Sequence, residues 1–215
     1  MFSTVNLVPM ALCALISYLL GSLNFAIIVG HIYAKEDIRN YGSGNAGMTN
    51  ILRTYGKKPA FFTGAGDLLK GILALAISRI IFQMSGVVFM DSGYFSGLFV
   101  LLGHLYPLYF RFKGGKGVMT SLGIMLLVNP LVFLIVVVIF VPIVFITRIV
   151  SLASILGAIG FPIITFVVQT ALGRPALYET LCALVFGIIL LAKHHENIGR
   201  LLKGTENRFG KPGKK

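Results

Sequence analysis

Glycine-rich polar strings that carry lysine, arginine, serine or asparagine recur between the long apolar stretches of this chain. The strings are Gly42–Asn50, Phe112–Gly117 and Lys193–Asn197. Glycine lets backbone N–H groups approach an anion closely, and lysine or arginine supplies positive charge. Because the neighbouring apolar stretches are long enough to enter a bilayer, the strings predict a phosphate site at a membrane face. This combination favours the chemistry of phospholipid enzymes.

The string at residues 42–53 has the donors and acceptors that a phosphate or polyol ligand needs. Its glycines permit close approach, its hydroxyls and amides can form hydrogen bonds, and its terminal guanidinium can bind phosphate through two parallel bonds. The candidate ligands are Ser43, Gly44, Asn45, Thr49, Asn50 and Arg53. The alternative is a turn-rich loop between two helices, but the density of donors beside a membrane favours the binding site.

The string Lys113-Gly114-Gly115-Lys116-Gly117 predicts an anion-binding nest at the start of a helix. Backbone N–H groups and the helix dipole both favour negative charge at such a position. The string lacks the leading glycine of a nucleotide-binding P-loop and the Ser or Thr after its lysine, so a nucleoside triphosphatase is a poor fit. The alternative is an interfacial loop whose lysines only mark the cytoplasmic face.

The C-terminal string Lys193–Arg200 follows directly after an apolar stretch and contributes His194 and Asn197 as candidate site residues. Ser151 adds a hydroxyl at the start of the predicted span 151–172. The adjacent His194 and His195 would point in different directions on a helix, so no metal site is predicted. The alternative for this string is a solvated helix end.

Asp67, Lys70 and His104 are ionisable side chains that lie inside apolar stretches. Asp67 and Lys70 are three residues apart, so they are predicted to form a structural ion pair on one face of a helix. His104 is predicted to form a hydrogen bond between helices. No nucleophile–His–acid arrangement stands out, and the acyltransferase box of His, four residues and Asp is absent, because Asp37 comes one residue too late after His31.

The composition indicates a membrane protein. Of 215 residues, 56% are hydrophobic and 12% charged, whereas soluble domains carry about 25% charged residues. We therefore predict an all-α, polytopic membrane helical bundle that forms a single domain over residues 1–215. A net charge of +12 would suggest nucleic acid for a soluble protein. Here the charges lie at the ends of apolar stretches, which indicates anionic lipid or substrate as the partner and no nucleic acid.

About seven transmembrane helices are predicted, with the N-terminus outside and the C-terminus cytoplasmic. The spans are residues 7–33, 59–82, 93–110, 118–128, 130–147, 151–172 and 175–192. The stretch 118–147 could be one helix or two, and Asn129-Pro130 together with basic residues at both ends favours two. Whether residues 118–128 cross fully stays open. This orientation places 16 of the 19 lysines and arginines on the cytoplasmic side. Because no basic residue precedes the first span, we expect a retained helix and not a cleaved signal.

Six strings, in order along residues 21–206, resemble the bacterial acyl-phosphate-dependent glycerol-3-phosphate acyltransferases. They are Gly21–Phe25, Ser43–Asn50 with Arg53, Asp67–Gly71, Gly103-His104 with Pro107, Phe112–Val118, and His194–Leu201 with Gly204–Glu206. The departures are mild. Asn24 and Ala46 stand where the family commonly has proline, and His195 stands where a basic residue is common. None of them removes an expected phosphate ligand.

The resemblance implies a seven-helix enzyme of the bacterial cytoplasmic membrane whose active site faces the cytoplasm. It would transfer a fatty acyl group from acyl phosphate to the 1-hydroxyl of sn-glycerol 3-phosphate, giving lysophosphatidic acid and phosphate, as the first step of phospholipid biosynthesis. A soluble enzyme upstream would supply the acyl phosphate. No cofactor is implied, neither coenzyme A nor a metal.

The resemblance also assigns roles to the candidate residues. The departing phosphate would be held by Lys113, Lys116 and the amides of Gly114, Gly115, Lys116 and Gly117. Glycerol 3-phosphate would be held by Ser43, Asn45 and Arg53, helped by His194 and Asn197, and Ser151 would touch either head group. The catalytic candidates are His194, Lys116 and Ser43. Either His194 or the substrate's own phosphate would accept the hydroxyl proton, and the acyl-chain preference and oligomeric state stay open.

Two other functions compete with this one. A transporter for a phosphorylated metabolite or lipid would also need basic pockets, but such proteins tend to show repeated halves and a site near the midplane. This chain shows no internal repeat, and its polar strings are predicted on one face. A scaffold that binds anionic lipid through Lys211, Lys214 and Lys215 would leave the glycine-rich strings unexplained.

Overall fold

The computed structural model describes residues 4–87 and 91–208, with side chains from Asn6 onward. Every regular element in these ranges is helical, which confirms the all-α prediction. The α-helices are α1 (Thr4–Ser22), α2 (Phe25–Ala34), α3 (Met48–Tyr55), α4 (Lys57–Ser85), α5 (Ser92–Leu105), α6 (Val118–Val128), α7 (Pro130–Thr147), α8 (Val150–Ala171), α9 (Leu177–Lys193) and α10 (His195–Leu202). Short 3₁₀ turns lie at Ile38–Asn40 and Leu108–Phe110.

Three stretches of the described chain are long and apolar enough to cross a membrane. They are Asn6–Ala34, Pro130–Thr147 and Val150–Ala171, and the bent pair α9–α10 would be a fourth if it is counted as one span. The predicted total of seven spans, and the orientation of the termini, stay predictions.

The chain divides into two compact units, residues 1–128 and 129–215. In the first unit α4 packs against α1, α2, α3, α5 and α6, and α1 also packs against α5. Glycines bring α1 and α5 together: a Cβ on Gly21 would lie 2.2 Å from the Val100 carbonyl oxygen, and a Cβ on Gly103 would lie 2.3 Å from that of Tyr18. The two helices therefore meet backbone to backbone, as small residues allow in membrane proteins.

The predicted first span, residues 7–33, is not one uninterrupted helix. It breaks at residues 23–24, where the Asn24 side chain accepts a hydrogen bond from the Ile27 amide and caps α2. The Lys70 ammonium group, on α4, donates to the carbonyl oxygens of Gly21 at 3.0 Å and Leu23 at 2.8 Å. These carbonyls have lost their helical partners, so a buried cation stabilises the break.

Two further boundaries follow local signals. The predicted span 93–110 ends early, at Leu105, because the residue before Pro107 avoids the helical conformation and proline has no N–H to donate. The stretch 118–147 forms the two helices α6 and α7, with 11 and 18 residues. Asn129 separates them and accepts a hydrogen bond from the Val132 amide at 3.2 Å, which confirms the two-helix prediction.

In the second unit α8 packs between α7 and α9. A Cβ on Gly187 of α9 would lie 2.6 Å from the Ala158 carbonyl oxygen, so these helices also approach closely. The rings of Phe161 and Phe186 meet edge to face beside this contact, with centroids 6.5 Å apart. Helix α10 follows α9 across a bend of 62° at His194.

Candidate active site

The first glycine-rich loop, residues 42–47, is fixed from beneath by the side chain of Asn50. Asn50 is 1% exposed; its Oδ1 accepts from the Ser43 amide at 2.9 Å, and its Nδ2 donates to the carbonyls of Ile38 at 3.2 Å and Tyr41 at 2.9 Å. The loop lies on an apolar cluster formed by Ala26, Ile27, Ile38, Ala46, Ile51 and Ala60. Ser43 is therefore held in an exposed position on a rigid base, and a ligand role for Asn50 stays a prediction.

Other candidate ligands of this string lie on the helix that the loop leads into. Thr49 and Arg53 are four residues apart on α3, so they share one helix face. Arg53 is exposed in the last turn of α3, and Asn45 is half-buried within the loop itself. The backbone turns needed to expose Ser43 require positive φ at Gly42 and Gly44, +60° and +70°.

The second loop, residues 113–117, packs tightly on the end of α5. The amide of Gly114 donates to the Leu105 carbonyl and that of Gly115 donates to the His104 carbonyl, both at 3.2 Å. A Cβ on Gly114 would lie 1.9 Å from the His104 carbonyl oxygen. Close packing therefore requires glycine at position 114, a requirement that was not predicted from the sequence. The role of the Gly114 and Gly115 amides as phosphate ligands stays a prediction.

The two glycine-rich loops touch each other. A Cβ on Gly115 would lie 2.4 Å from the Ala46 carbonyl oxygen, and the same oxygen accepts from the Asn24 side chain at 3.4 Å. Strings that are far apart in sequence, 42–53 and 113–117, are therefore side by side in the first unit. Each string carries basic side chains, Arg53 on one and Lys116 on the other.

A buried ionic cluster lies under the second loop. Lys70 Nζ is 2.8 Å from Asp67 Oδ1 and 2.8 Å from His104 Nδ1, and Asp67 Oδ1 is 3.4 Å from the same His104 nitrogen. The ion pair predicted for Asp67 and Lys70 is confirmed. A Cβ on Gly115 would lie 2.5 Å from His104 Nε2, so the cluster extends to the loop.

The pairing of Asp37 and Arg39 was not predicted from the sequence. Arg39 Nε lies 2.9 Å from Asp37 Oδ1, and Nη2 lies 2.6 Å from Oδ2. The hydrogen bond from the Arg39 guanidinium holds the pKa of Asp37 below its usual value, against a smaller opposing effect of burial. The available signal was the spacing of the two residues, since a carboxylate and a guanidinium two residues apart can pair across a tight turn.

In the second unit, His194 is 2% exposed and lies at the bend between α9 and α10. Its Nδ1 lies 2.8 Å from the Leu190 carbonyl oxygen. A carbonyl can only accept, so Nδ1 carries the proton and Nε2 carries the lone pair of the neutral ring. The adjacent His195 is exposed and its Nδ1 lies 2.9 Å from the Ala192 carbonyl, so the two rings have the separate environments that the helix geometry predicts.

The Asn197 side chain is oriented by a carboxylate. Its Nδ2 donates to Glu206 Oε1 at 2.8 Å, and Arg200 Nε donates to Glu206 Oε2 at 2.8 Å. The Glu206 side chain is 4% exposed, so the buried carboxylate fixes which way the Asn197 amide faces. Glu206 belongs to the string Gly204–Glu206, but no role was predicted for it from the sequence.

Ser151 is 9% exposed and lies in the first turn of α8. The turn before it is tight, since Arg148 has φ +59° and Thr147 Oγ1 accepts from the Ile149 amide. The lysines of the basic tail at positions 211, 214 and 215 lie outside the described residues. Within the described residues, 4–87 and 91–208, no group of three or more His, Cys, Asp or Glu side chains could hold a metal ion.

Comparisons with known proteins point to one family. The family model described as glycerol-3-phosphate acyltransferase matches residues 11–204. A glycerol-3-phosphate acyltransferase of Clostridioides difficile (strain 630) is 41% identical over 92% of this chain and 94% of its own length. That of Macrococcus caseolyticus (strain JCSC5402) is 42% identical, over 93% and 96%.

A solved structure resembles the chain over nearly its whole length. It is the glycerol 3-phosphate form of PlsY (YgiH), described as an integral membrane glycerol 3-phosphate acyltransferase. Its TM-score is 0.81 at 38% identity, and the match covers 94% of this chain and 96% of that one. The lysophosphatidic acid form of PlsY gives a TM-score of 0.78 at 37% identity.

Proposed function

Because the chain belongs to the glycerol-3-phosphate acyltransferase family, we propose that it acylates the 1-hydroxyl of sn-glycerol 3-phosphate with acyl phosphate as the donor. The products are lysophosphatidic acid and inorganic phosphate. The observation that carries the proposal is the contact between the loops 42–47 and 113–117, where Gly115 lies against the Ala46 carbonyl. The contact would bring two phosphate-binding elements together, and this reaction has one phosphate on each substrate.

At the acyl carbon the reaction forms one bond and breaks one, and a proton is transferred. The 1-hydroxyl oxygen attacks the acyl carbonyl carbon, the bond from that carbon to the phosphate oxygen breaks, and the hydroxyl proton passes to a base. Acyl phosphate is already an activated donor, so the enzyme mainly has to position both substrates and stabilise negative charge.

Glycerol 3-phosphate binds in this proposal at the first loop. Exposed Ser43 offers a hydroxyl, and Arg53 and Thr49 share the neighbouring helix face, with Asn45 beside them. The Asn50 amide supports this role indirectly, because it holds the loop in the conformation that exposes Ser43. A guanidinium at this position binds phosphate with two parallel hydrogen bonds.

The departing phosphate binds at the second loop. Lys116 is half-buried at the start of α6, where the positive end of the helix dipole adds to its charge. Lys113 is exposed at the entrance of the loop. As the bond to the acyl carbon breaks, negative charge grows on the phosphate, and these cations stabilise it.

His194 and Asn197 also act on glycerol 3-phosphate in this proposal, and Ser151 contacts a head group. The hydrogen bond from His194 Nδ1 to the Leu190 carbonyl leaves Nε2 as the basic nitrogen. A neutral imidazole nitrogen that carries a lone pair is suited to accept the hydroxyl proton. The other acceptor is the phosphate of the substrate, with His194 then acting in binding.

We further propose that both compact units form one acyltransferase domain with seven membrane spans and a cytoplasmic active site. The family match over residues 11–204 supports one domain, because it covers parts of both units. This orientation is supported because it places 16 of the 19 lysines and arginines on the cytoplasmic side. The location is the bacterial cytoplasmic membrane, with a soluble enzyme supplying the acyl phosphate.

Turnover by the purified protein in detergent tests the reaction. Palmitoyl phosphate and glycerol 3-phosphate are supplied without added metal, and phosphate and lysophosphatidic acid are measured together. We expect the two products in equal amounts and no product from palmitoyl-CoA. A folded protein that makes no product from either donor would refute the acyltransferase, and product from palmitoyl-CoA alone would refute acyl phosphate as the donor.

Single substitutions separate the roles of the basic residues. Lys116→Ala should lower kcat by about 100-fold, since removing one group that stabilises developing charge costs about 10²–10³. Arg53→Ala should mainly raise KM for glycerol 3-phosphate. Lys58→Gln is the matched control, because Lys58 is an exposed cation at the start of α4, and it should leave both constants within about twofold.

His194→Ala decides the proton acceptor. A general base contributes about 10²–10⁴-fold to the rate, so a loss of that size in kcat would assign the base to His194. A rise in KM for glycerol 3-phosphate with little change in kcat would assign His194 to binding and leave the substrate phosphate as acceptor.

Cysteine labelling tests the topology. Lys58→Cys should react with a membrane-impermeant maleimide only in inverted membrane vesicles, and Arg174→Cys only in right-side-out vesicles. Both positions are exposed on the protein. Labelling of both from the same side would contradict the proposed orientation.

A further inference from the structure

Arg39 is a cation whose charge is already matched. Its Nε and Nη2 point to the two oxygens of the Asp37 carboxylate, and Asp37 Oδ1 also accepts from the Arg39 amide at 3.0 Å. The side chain is 23% exposed and so is that of its partner. A guanidinium held along one edge by a carboxylate is a poor ligand for a substrate phosphate, and it is well suited to bind neutral acceptors.

The remaining nitrogen of Arg39 reaches the second glycine-rich loop. Its Nη1 donates to the Phe110 carbonyl at 2.9 Å and to the Lys113 carbonyl at 3.0 Å. Between these carbonyls lie Arg111 and Phe112, both with φ of +58°. Two successive side chains in the left-handed region are strained, and such a turn persists only where its surroundings fix it.

The loop itself also contributes hydrogen bonds to this turn. The Phe112 amide donates to the Pro107 carbonyl at 2.9 Å, and the Lys113 amide donates to that of Phe110 at 3.3 Å. Arg39 bonds to a carbonyl on each side of the strained pair. It therefore holds the turn that sets the direction in which the chain enters residues 113–117.

Arg39 is also tied to the first glycine-rich loop. It lies in the 3₁₀ turn Ile38–Asn40, and the Ile38 carbonyl accepts from the Asn50 side chain that holds Ser43. Hydrogen bonds thus link Ser43 to Asn50 and Asn50 to the Ile38 carbonyl, the backbone joins Ile38 to Arg39, and a further hydrogen bond links Arg39 to Lys113.

We propose that Arg39, held by Asp37, is a positioning residue that sets the spacing of the two phosphate-binding loops. The inference rests on the proposed function, because it assigns one substrate phosphate to each loop. A change at Arg39 leaves the ligands on each loop in place and alters only their relative position. Misplacement of reacting groups by about 1 Å can cost about 100-fold in rate, so kcat should fall far more than either KM rises.

The kinetic test compares Arg39→Gln, Arg39→Lys and Asp37→Asn with the control Lys58→Gln. We expect kcat to fall about 100-fold in both Arg39 variants and KM for each substrate to change less than about threefold. Arg39→Lys should not rescue activity, because an ammonium lacks the planar fork that binds a carboxylate and two carbonyls together. Asp37→Asn combined with Arg39→Gln should be no worse than Arg39→Gln alone. A rise in KM for one substrate with kcat unchanged would overturn the proposal by making Arg39 a ligand.

Hydrogen–deuterium exchange of the same proteins in detergent supplies a readout that does not depend on turnover. The amides in residues 106–117 should exchange faster in Arg39→Gln and Asp37→Asn than in the unmodified chain, and Lys58→Gln should match the unmodified chain. Unchanged exchange in the Arg39 variants would overturn the proposal even if the enzyme were inactive. An unmodified chain that fails to turn over acyl phosphate would instead refute the proposed function, while the exchange data still decide the role of Arg39.

Discussion

A single methyl group placed between the two glycine-rich loops should separate them. In Gly115→Ala the new Cβ would lie 2.4 Å from the Ala46 carbonyl oxygen and 2.5 Å from His104 Nε2, whereas ordinary contact begins at 3.4 Å. The loops must then move apart by about 1 Å, the difference between those distances. His104 cannot simply rotate away, because its Nδ1 lies 2.8 Å from Lys70 Nζ in a buried cluster.

A displacement of this size sets the expected loss of activity. Catalysis by positioning falls about 100-fold for a misplacement of about 1 Å, so kcat of Gly115→Ala should fall by about that factor. Overpacking of a well-packed interior also costs about 1–3 kcal/mol, so the melting temperature should fall. Steady-state kinetics with palmitoyl phosphate and glycerol 3-phosphate, together with thermal unfolding in detergent, measure both effects.

Gly160→Ala is the matched control on α8. Its Cβ would meet only Ile164 Cδ1, at the ordinary distance of 3.5 Å. Alanine is favoured over glycine inside a helix by about 1 kcal/mol, so this variant should keep its activity and melt at the same or a higher temperature. Unchanged kcat and melting temperature in Gly115→Ala would refute the close contact of the loops.

Three further perturbations test the supporting contacts. Lys70→Met removes the ammonium counter-charge of the buried Asp67 carboxylate and the donor to two carbonyls, so the free energy of unfolding in detergent should fall by about 3–5 kcal/mol. A loss as small as that of a surface lysine would contradict the buried cluster. Glu206→Gln should lower kcat at least tenfold because the Asn197 amide loses its fixed orientation, and unchanged kcat would show that the orientation is set elsewhere. The pKa of Asp37 is lowered in the folded protein mainly by its hydrogen bond from Arg39, so the ion pair stabilises the fold above the ordinary value of 3.8. That contribution is lost as pH falls through the lowered pKa. The difference in melting temperature between the unmodified chain and Asp37→Asn should therefore be constant above about pH 5 and shrink below about pH 4, whereas a difference that grows on acidification would contradict the assignment.

Local signals made part of the fold predictable. Asn129-Pro130 divides residues 118–147, because the asparagine caps a helix and the proline opens it. Pro107 likewise explains the early end of α5, although the apolar run to Phe110 suggested a longer span. Each of these boundaries depends on residues within one or two turns of the break.

The break in the first span could not be predicted in the same way. It depends on Lys70, which donates to the Leu23 carbonyl across 47 residues of sequence. Periodicity and composition carry no information about such a contact, although Ser22 and Asn24 are polar at the position of the break.

In the candidate site too, local features could be predicted and contacts between distant residues could not. Residue types alone marked Ser43, Arg53 and Lys116 as ligands, since hydroxyls and cations beside glycine suit phosphate. The supports of the site were not visible, because Arg39 reaches the Phe110 carbonyl across 71 residues of sequence. In the sequence it was one basic residue among several on a charged loop.

The spacing of the buried ion pair bears on how the chain enters the membrane during synthesis. A single aspartate or lysine at a helix centre costs about 2.5–3.5 kcal/mol on insertion, but Asp67 and Lys70 are three residues apart and carry each other's counter-ion. In the proposed topology, Asp67 and Lys70 already neutralise each other when α4 leaves the translocon. The carbonyls of Gly21 and Leu23 that receive the lysine are made earlier, and His104 is made later. The backbone acceptors for Lys70 are therefore synthesised first, and α5 then brings His104, its last hydrogen-bond partner in this cluster.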